Sequence, residues 1–216
     1  MDFQRLYEYR FRDVDQSARG DVWVEISAFV HRQLGRPDRV LDPAAGRGEF
    51  INTVPARERW AVDQVAYDEG TYAPEVRNVI ADIFEAELPQ EHFEGIFVSN
   101  FLEHLPTQEA VAEFLGRMRD VATVGGRIAI MGPNFRYAMN EYFDMADHTL
   151  ALTHRAVEEH VYAAGFEVER VVPRFLPYSF TGRLPPSPKL TRLYLATPAA
   201  WRLLGKQFLV IGRRAA

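Results

Sequence analysis

The 216-residue chain contains no cysteine. No disulfide can staple its fold, and no thiolate can serve as nucleophile or metal ligand. No stretch approaches the roughly 18 apolar residues of a membrane span. The N-terminal MDFQRLYEYRFRD places charges and aromatics where a secretory signal needs an apolar core, so no signal peptide is expected there. Excess positive charge is also missing: 25 Lys and Arg face 30 Asp and Glu, for a net charge of -5. A broad phosphate-binding face is therefore not expected, because nucleic-acid binders usually carry basic patches. Internal repeats and low-complexity tracts are absent as well. The default expectation is a cytoplasmic globular protein with no membrane span and no nucleic-acid partner. Its 47% hydrophobic and 25% charged residues are enough for a full core in one large domain.

What is present is a regular alternation. Trp23, Ile26, Phe29, Val30 and Leu34 recur at helical spacing, and Gly35 suits the end of that helix. Four short apolar runs follow, each stopping at a polar residue. They are Arg39–Leu41 before Asp42, Trp60–Val62 before Asp63, Val76–Ala81 before Asp82, and Gly95–Ser99 before Asn100. Thr107 can cap a helix whose stripe is Val111, Phe114, Leu115, Met118 and Ala122. Gly125-Gly126 would close that connection, and Arg127–Met131 reads as a fifth strand. Thr153 can cap a helix with Val157, Val161 and Ala164 inward and Gly165 at its end. Phe166–Val172 and Phe208–Ile211 read as the last two strands. Strands alternating with helices predict an α/β fold: a doubly wound, mainly parallel seven-stranded sheet. Residues 1–36 would form an N-terminal helical cap or lid on the main domain, 37–216. Residues 174–205 would be a long insertion between the last two strands.

Polar residues at successive strand ends point to one crevice, because open α/β sheets bind ligands at that edge. In Asp42-Pro43-Ala44-Ala45-Gly46-Arg47-Gly48-Glu49-Phe50, two glycines follow a strand and precede a helical stretch. A carboxylate pointing into such a turn suits a cationic or hydroxylated ligand better than a pyrophosphate, and no G-x-G-x-x-G is present. Asp63 follows at about the 20-residue spacing from which an acid accepts ribose hydroxyls. A solvated carboxylate at a strand end would read the same way.

From Val40 to Phe166 the chain resembles the class I, Rossmann-like S-adenosylmethionine-dependent methyltransferases. VLDPAAGRGEF is similar to their glycine loop, WAVD to their ribose-binding acid, and ADIFEAEL to the segment beside the adenine. FEGIFVSNFLEHL resembles their fourth-strand motif, and VGGRIAI the fifth strand. DHTLALTHRAVEEHVYAAGFEVERV and WRLLGKQFLVIGRR extend a likeness to bacterial small-molecule methyltransferases, including sugar-pathway ones. The resemblance implies S-adenosylmethionine as cofactor, with Asp42, Gly46 and Gly48 around its methionine part. Asp63 would hold the ribose and Gln64 the adenine, which Asp82 and Ile83 also address. Asn100 and Phe101 would lie beneath it through backbone contacts. Ala44 stands where the family loop usually has glycine. Pro43 is similar to DNA adenine methyltransferases, but Ser99-Asn100-Phe101-Leu102 lacks the N/D-P-P-Y motif that they need.

Methyl transfer from a sulfonium needs alignment and exclusion of water, and a base only for a hydroxyl or protonated amine acceptor. Of six histidines, His104 and His148 fall in connections facing the crevice and are the candidate catalytic groups. His31, His92, His154 and His160 read as surface residues. Asp144, Asp147 and His148 are a weaker metal-type grouping, of a spacing common in ordinary loops, and no metal is expected. The aromatic segment Tyr7–Phe11 can fold over the cofactor, with Tyr7 or Arg10 near the methionine carboxylate; a terminus packing an aromatic on the core would look alike. Phe175, Pro177, Tyr178, Phe180 and Pro185-Pro186 would give the long insertion a stiff apolar surface, for specificity or a dimer contact. The expected partner is a small-molecule acceptor, and the expected state a monomer or homodimer. The competing functions are a cofactor-binding auxiliary subunit or a cyclase, with a nucleic-acid amino-methyltransferase behind them. An NAD(P)-dependent reductase is disfavoured by the missing glycine and Y-x-x-x-K patterns.

Overall fold

A computed structural model of the chain describes residues 3–10, 12, 16–178 and 187–216. Helices α1 (Phe3–Arg10) and α2 (Gln16–Gln33) precede β1 (Arg39–Asp42), β2 (Glu58–Asp63), β3 (Val76–Ile80) and β4 (Phe93–Ser99). Then come α3 (Gln108–Val121), β5 (Ala122–Pro133), the one-turn α4 (Phe135–Ala138), α5 (His154–Ala163) and β6 (Phe166–Val172). Helices α6 (Pro188–Leu195) and α7 (Pro198–Leu204) lead into β7 (Gln207–Arg214).

The seven strands form one sheet in the order β3-β2-β1-β4-β5-β7-β6. Pairing is parallel from β3 through β5, but β7 runs antiparallel to both β5 and β6. The sheet is therefore mixed, which corrects the mainly parallel expectation at that edge. Phe208–Ile211 is apolar on both faces, and such a run reads the same in either direction.

Alternate residues of each strand feed opposite faces. Leu41, Ile96, Val98, Ile128 and Ile130 pack under α3 and α5. Val40, Phe97, Ala129 and Met131 pack under α2 and the α6–α7 pair. Both predicted caps form: Thr107 Oγ1 accepts from Ala110 N at 3.2 Å, and Thr153 Oγ1 accepts from Ala156 N at 3.3 Å. Among the described residues, no helix is long and apolar enough to cross a membrane.

Four local expectations are corrected. After the glycine loop there is no helix, only turns closed by Asn52 N–H to Gly48 O and Val54 N–H to Phe50 O, both 2.9 Å. Pro55 and the early start of β2 leave no room for more. Gly125-Gly126 does not end a connection, since β5 already starts at Ala122, paired with Phe93, and Gly125 takes a φ of +79° within the strand.

The described part of the long connection between β6 and β7 holds a helix pair, α6 and α7, and not only loop. Phe175 stacks on Phe29 at 5.2 Å, and Trp201 stands edge-on to both rings. Each such aromatic contact adds about 0.5–1.5 kcal/mol beyond area burial. Phe180, Pro185 and Pro186 lie outside the described residues.

Two histidines read as surface residues are instead buried. His31 Nε2 meets Pro37 O at 2.9 Å, and His154 Nδ1 meets Asn134 Nδ2 at 2.9 Å. Helical periodicity places a side chain on a face, but it does not say which backbone will cover that face.

Candidate active site

A cavity of about 840 Å³ lies at the C-terminal ends of the central strands. Its size is ordinary for a drug-sized ligand or cofactor (~300–1,000 Å³). Asp42, Ala44, Gly46, Asp63 and Gln64 line it around β1 and β2. Asp82, Ile83, Asn100 and Phe101 line it where β3 and β4 end. Arg10, His104 and His148 belong to its remaining wall, where the segments after β4 and β5 meet. Gly48 is not part of this lining. Its φ of +76° demands glycine, and a Cβ there would lie 2.7 Å from Asn52 Nδ2 and 2.9 Å from Tyr72 Cδ1. Its job is the turn. The side chain of Tyr7 lies outside the described residues.

The loop is held by side chains that reach it from elsewhere. Gly46 N–H donates to Asp63 Oδ2 and Val65 N–H to Asp63 Oδ1, each at 2.8 Å. From the other side, the Tyr72 hydroxyl donates to Gly46 O at 2.7 Å. Gly46 takes a φ of +53°, whereas Ala44 is not among the positive-φ residues and needs no glycine. Asn100 does have positive φ, +49°, immediately after β4. Its backbone N–H donates to Met131 O at 2.8 Å, which turns the chain out of the sheet and over the cavity.

Burial sets the electrostatics. Asp42 is 3% exposed, and its main hydrogen bond, from Ala44 N–H, is long at 3.4 Å. Burial, reinforced by the nearby Asp63 and Glu49 carboxylates, pushes its pKa up to about 8. Burial also raises Asp63, against the two backbone N–H bonds that it accepts. Arg19 of α2 pairs with Glu49 at 2.8 Å in the same wall.

At the other end the chain brings distant residues together. Thr149 N–H and Leu150 N–H donate to Glu103 O, at 2.9 and 3.2 Å, tying the turn after β4 to the segment after β5. His104 and His148 consequently meet at 5.0 Å between ring centres. His104 Nδ1–H donates to Asp147 O at 3.0 Å, and the Arg10 guanidinium grips the Asp147 carboxylate through two bonds. Burial disfavours an ionised Asp147, but Arg10 and His104 hold its pKa below the ordinary range. His148 is pulled down to about 4, chiefly by burial and then by His104. Burial raises the Glu103 carboxyl.

Sequence reasoning missed Arg19, Tyr72 and Glu103, and it read Asp147 only as a member of the weaker metal-type grouping with Asp144 and His148. The Asp144–Asp147–His148 grouping does not assemble, because Asp147 is engaged by Arg10 and His104. The other four histidines are away from the cavity: besides His31 and His154, His92 pairs with Glu58 at 2.7 Å and His160 with Gln108 at 2.8 Å.

No protein-family model and no curated protein matches the sequence. Solved structures do match in shape. A SAM-dependent methyltransferase from Archaeoglobus fulgidus aligns with a TM-score of 0.64 at 20% identity, over 99% of this chain and 100% of its own. The chain has the class I methyltransferase fold. Burkholderia thailandensis 1,6-didemethyltoxoflavin-N1-methyltransferase, solved with 1,6-didemethyltoxoflavin and S-adenosylhomocysteine bound, aligns at 0.62 and 20% identity, over 100% and 90% of the two chains. The N-methyltransferase NodS from Bradyrhizobium japonicum WM9 aligns at 0.58 and 13%, over 87% and 95%. At such identities the shared property is the fold. In a methyltransferase fold the strand-end cavity described above is the place for a ligand.

Proposed function

We propose that the chain is an S-adenosylmethionine-dependent methyltransferase acting on the O or N of a small-molecule acceptor by in-line displacement. One observation carries the reading: a single cavity runs from the glycine loop, past the ends of β3 and β4, to the histidine pair. A donor laid along the strand ends would bring its sulfonium toward His104 and His148, where an acceptor has room.

In this reading Asp42 and Gly46 face the methionine part of the cofactor, Asp63 and Gln64 the ribose and adenine, and Asp82 and Ile83 the rest of the base. Asn100 and Phe101 form the floor. When bound, the cofactor supplies an electrophilic methyl group with a ready leaving group; the chain supplies alignment and exclusion of water. Helix α1 acts as a lid, and the Arg10–Asp147 ion pair latches it beside the acceptor. Arg19, paired with Glu49 beside the glycine loop, would face the methionine carboxylate. The polarity of the acceptor end, with Glu103, His104, His148 and Tyr178 in one wall, favours a compact polar metabolite such as a sugar.

Thermal-shift screening tests the cofactor. S-adenosylhomocysteine should raise the melting temperature and NAD(P) should not; stabilisation by NAD(P) alone would sink the assignment. Formation of S-adenosylhomocysteine with a candidate acceptor separates a transferase from a protein that only binds the cofactor. His104→Ala and His148→Ala should each lower turnover by about 10-fold or more while leaving cofactor affinity within about twofold. Full activity in both variants would mean that the imidazoles do not face the acceptor.

A further inference from the structure

Alignment and water exclusion alone do not require the cluster at the acceptor end of the cavity. Glu103, His104 and His148 each place one ligand-type atom within 4.8 Å of the other two. Two of these residues have buried polar atoms with no partner. Glu103 is 2% exposed, and its Oε1 has no hydrogen bond among the described residues. His148 Nδ1 is likewise buried and makes no well-formed hydrogen bond, although the Tyr142 backbone lies close enough to the ring to favour its protonated form slightly. A buried acceptor without a donor bears its full desolvation penalty, so such atoms signal a missing partner. His104 shows the complementary feature. Its Nδ1–H donates to the Asp147 carbonyl at 3.0 Å, which leaves the lone pair on Nε2. One ring nitrogen fixed by a carbonyl and the other left bare is the usual orientation of a metal-bound histidine.

We propose that Glu103, His104 and His148 bind one divalent transition-metal ion in the wall of the cavity. Two imidazoles and one carboxylate suit zinc, iron, cobalt or nickel; an all-oxygen set would suit magnesium or calcium. Three protein ligands leave coordination positions open toward the cavity, where an acceptor oxygen or nitrogen could sit. Ligands bound at about 2.1 Å stand at most about 4.2 Å apart, so the present spacing closes on an ion by small side-chain rotations. The local field agrees. Arg10 is bound to Asp147 and Lys206 to Glu141, while the carboxylates of Glu103 and Asp144 also face the cavity. This departs from the sequence-based expectation of no metal, because it is burial that singles out Glu103, and nothing in the local pattern marks it.

The ion's role toward an acceptor rests on the methyl-transfer reading, but the site itself does not, and the test keeps the two apart. Chelator-stripped, full-length protein is titrated with Zn²⁺ by calorimetry and with Co²⁺ by visible absorption, and S-adenosylhomocysteine binding is measured on the same preparation. One equivalent of Zn²⁺ per chain and a cobalt–ligand absorption band are expected. Glu103→Gln and His148→Ala should each weaken Zn²⁺ at least 10-fold, Asp147→Asn should weaken it less, and His92→Ala should leave it unchanged. If a variant fails to fold, imidazole NMR shifts of His104 and His148 in the wild-type protein on adding Zn²⁺ decide instead. Absence of Zn²⁺ and Co²⁺ binding, or binding indifferent to Glu103 and His148, would overturn the site whatever the cofactor result.

Discussion

Asp42→Asn should make the ligand-free protein more stable at pH 8 and at the same time less able to bind a cationic cofactor. Asp42 ends β1 inside the core edge, with only a long bond from Ala44 N–H at 3.4 Å to offset its burial. Its pKa of about 8 lies far above the unfolded value near 3.9. Between these values the folded state binds a proton that the unfolded state has released. Stability therefore falls as pH rises through that window, and the penalty is complete above its upper end. Asparagine removes the titration at almost constant shape. At pH 8 the gain should be about 1–3 kcal/mol, or roughly 2–4 °C in Tm per kcal/mol for a chain of this size. Wild-type and variant melting curves should converge as the pH falls toward the unfolded pKa of about 3.9. A wild-type Tm that is flat between pH 5 and 8 would contradict the argument. Binding should move the opposite way. A cofactor with sulfonium and ammonium charges stabilises the ionised carboxylate, so its uptake at pH 7 should release a proton, seen as buffer-dependent binding enthalpy. Asp42→Asn should abolish that release and weaken affinity on the order of 10–100-fold, the range expected for losing a charge-assisted contact.

The largest loss of cofactor affinity is expected from Asp63→Ala. The sequence suggested a carboxylate waiting for ribose hydroxyls; the structure adds that both of its oxygens already hold backbone N–H groups, of Gly46 and Val65. Under the proposed function, removing it takes away the ribose acceptor and loosens the glycine loop together. Affinity should fall by about 100-fold or more, and the orphaned N–H groups should lower stability by about 1–3 kcal/mol. Tyr72→Phe provides the control, because it removes only the hydroxyl bond to Gly46 O. If Asp63 acts through the loop alone, the two variants should weaken binding alike. A far larger loss in Asp63→Ala, measured by calorimetry, assigns the excess to the ribose contact. Unchanged affinity in Asp63→Ala would remove Asp63 from the cofactor site altogether.

Much of the cavity's lining along the strand ends was legible because its signals are local. A short apolar run that stops at Asp42, Asp63, Asp82 or Asn100 needs no partner to be read, and in an α/β sheet such ends share one edge. The caps at Thr107 and Thr153 are equally local, each a hydroxyl three residues from the N–H that it accepts. The opposite wall, with the histidine pair, was harder. His104 and Asp147 are 43 positions apart, and nothing in either segment announces the other. Glu103 looks like an ordinary acid beside a helix turn, and only the backbone bonds from Thr149 and Leu150 show that it is enclosed.

By itself the sequence determined the short apolar strand runs, the helices capped by Thr107 and Thr153, the polar strand ends, and the glycine-bearing turn that needs positive φ. These follow from periodicity, capping and backbone sterics acting over three or four residues. Tertiary structure alone decided the antiparallel direction of β7, the clasp of Asp63 and Tyr72 on Gly46, the burial of His31 and His154, and the meeting of Glu103, His104 and His148. Each of these depends on where a distant segment returns. Burial, which sets both pKa values and unmet hydrogen bonds, belongs to that packing and not to any local run of residues.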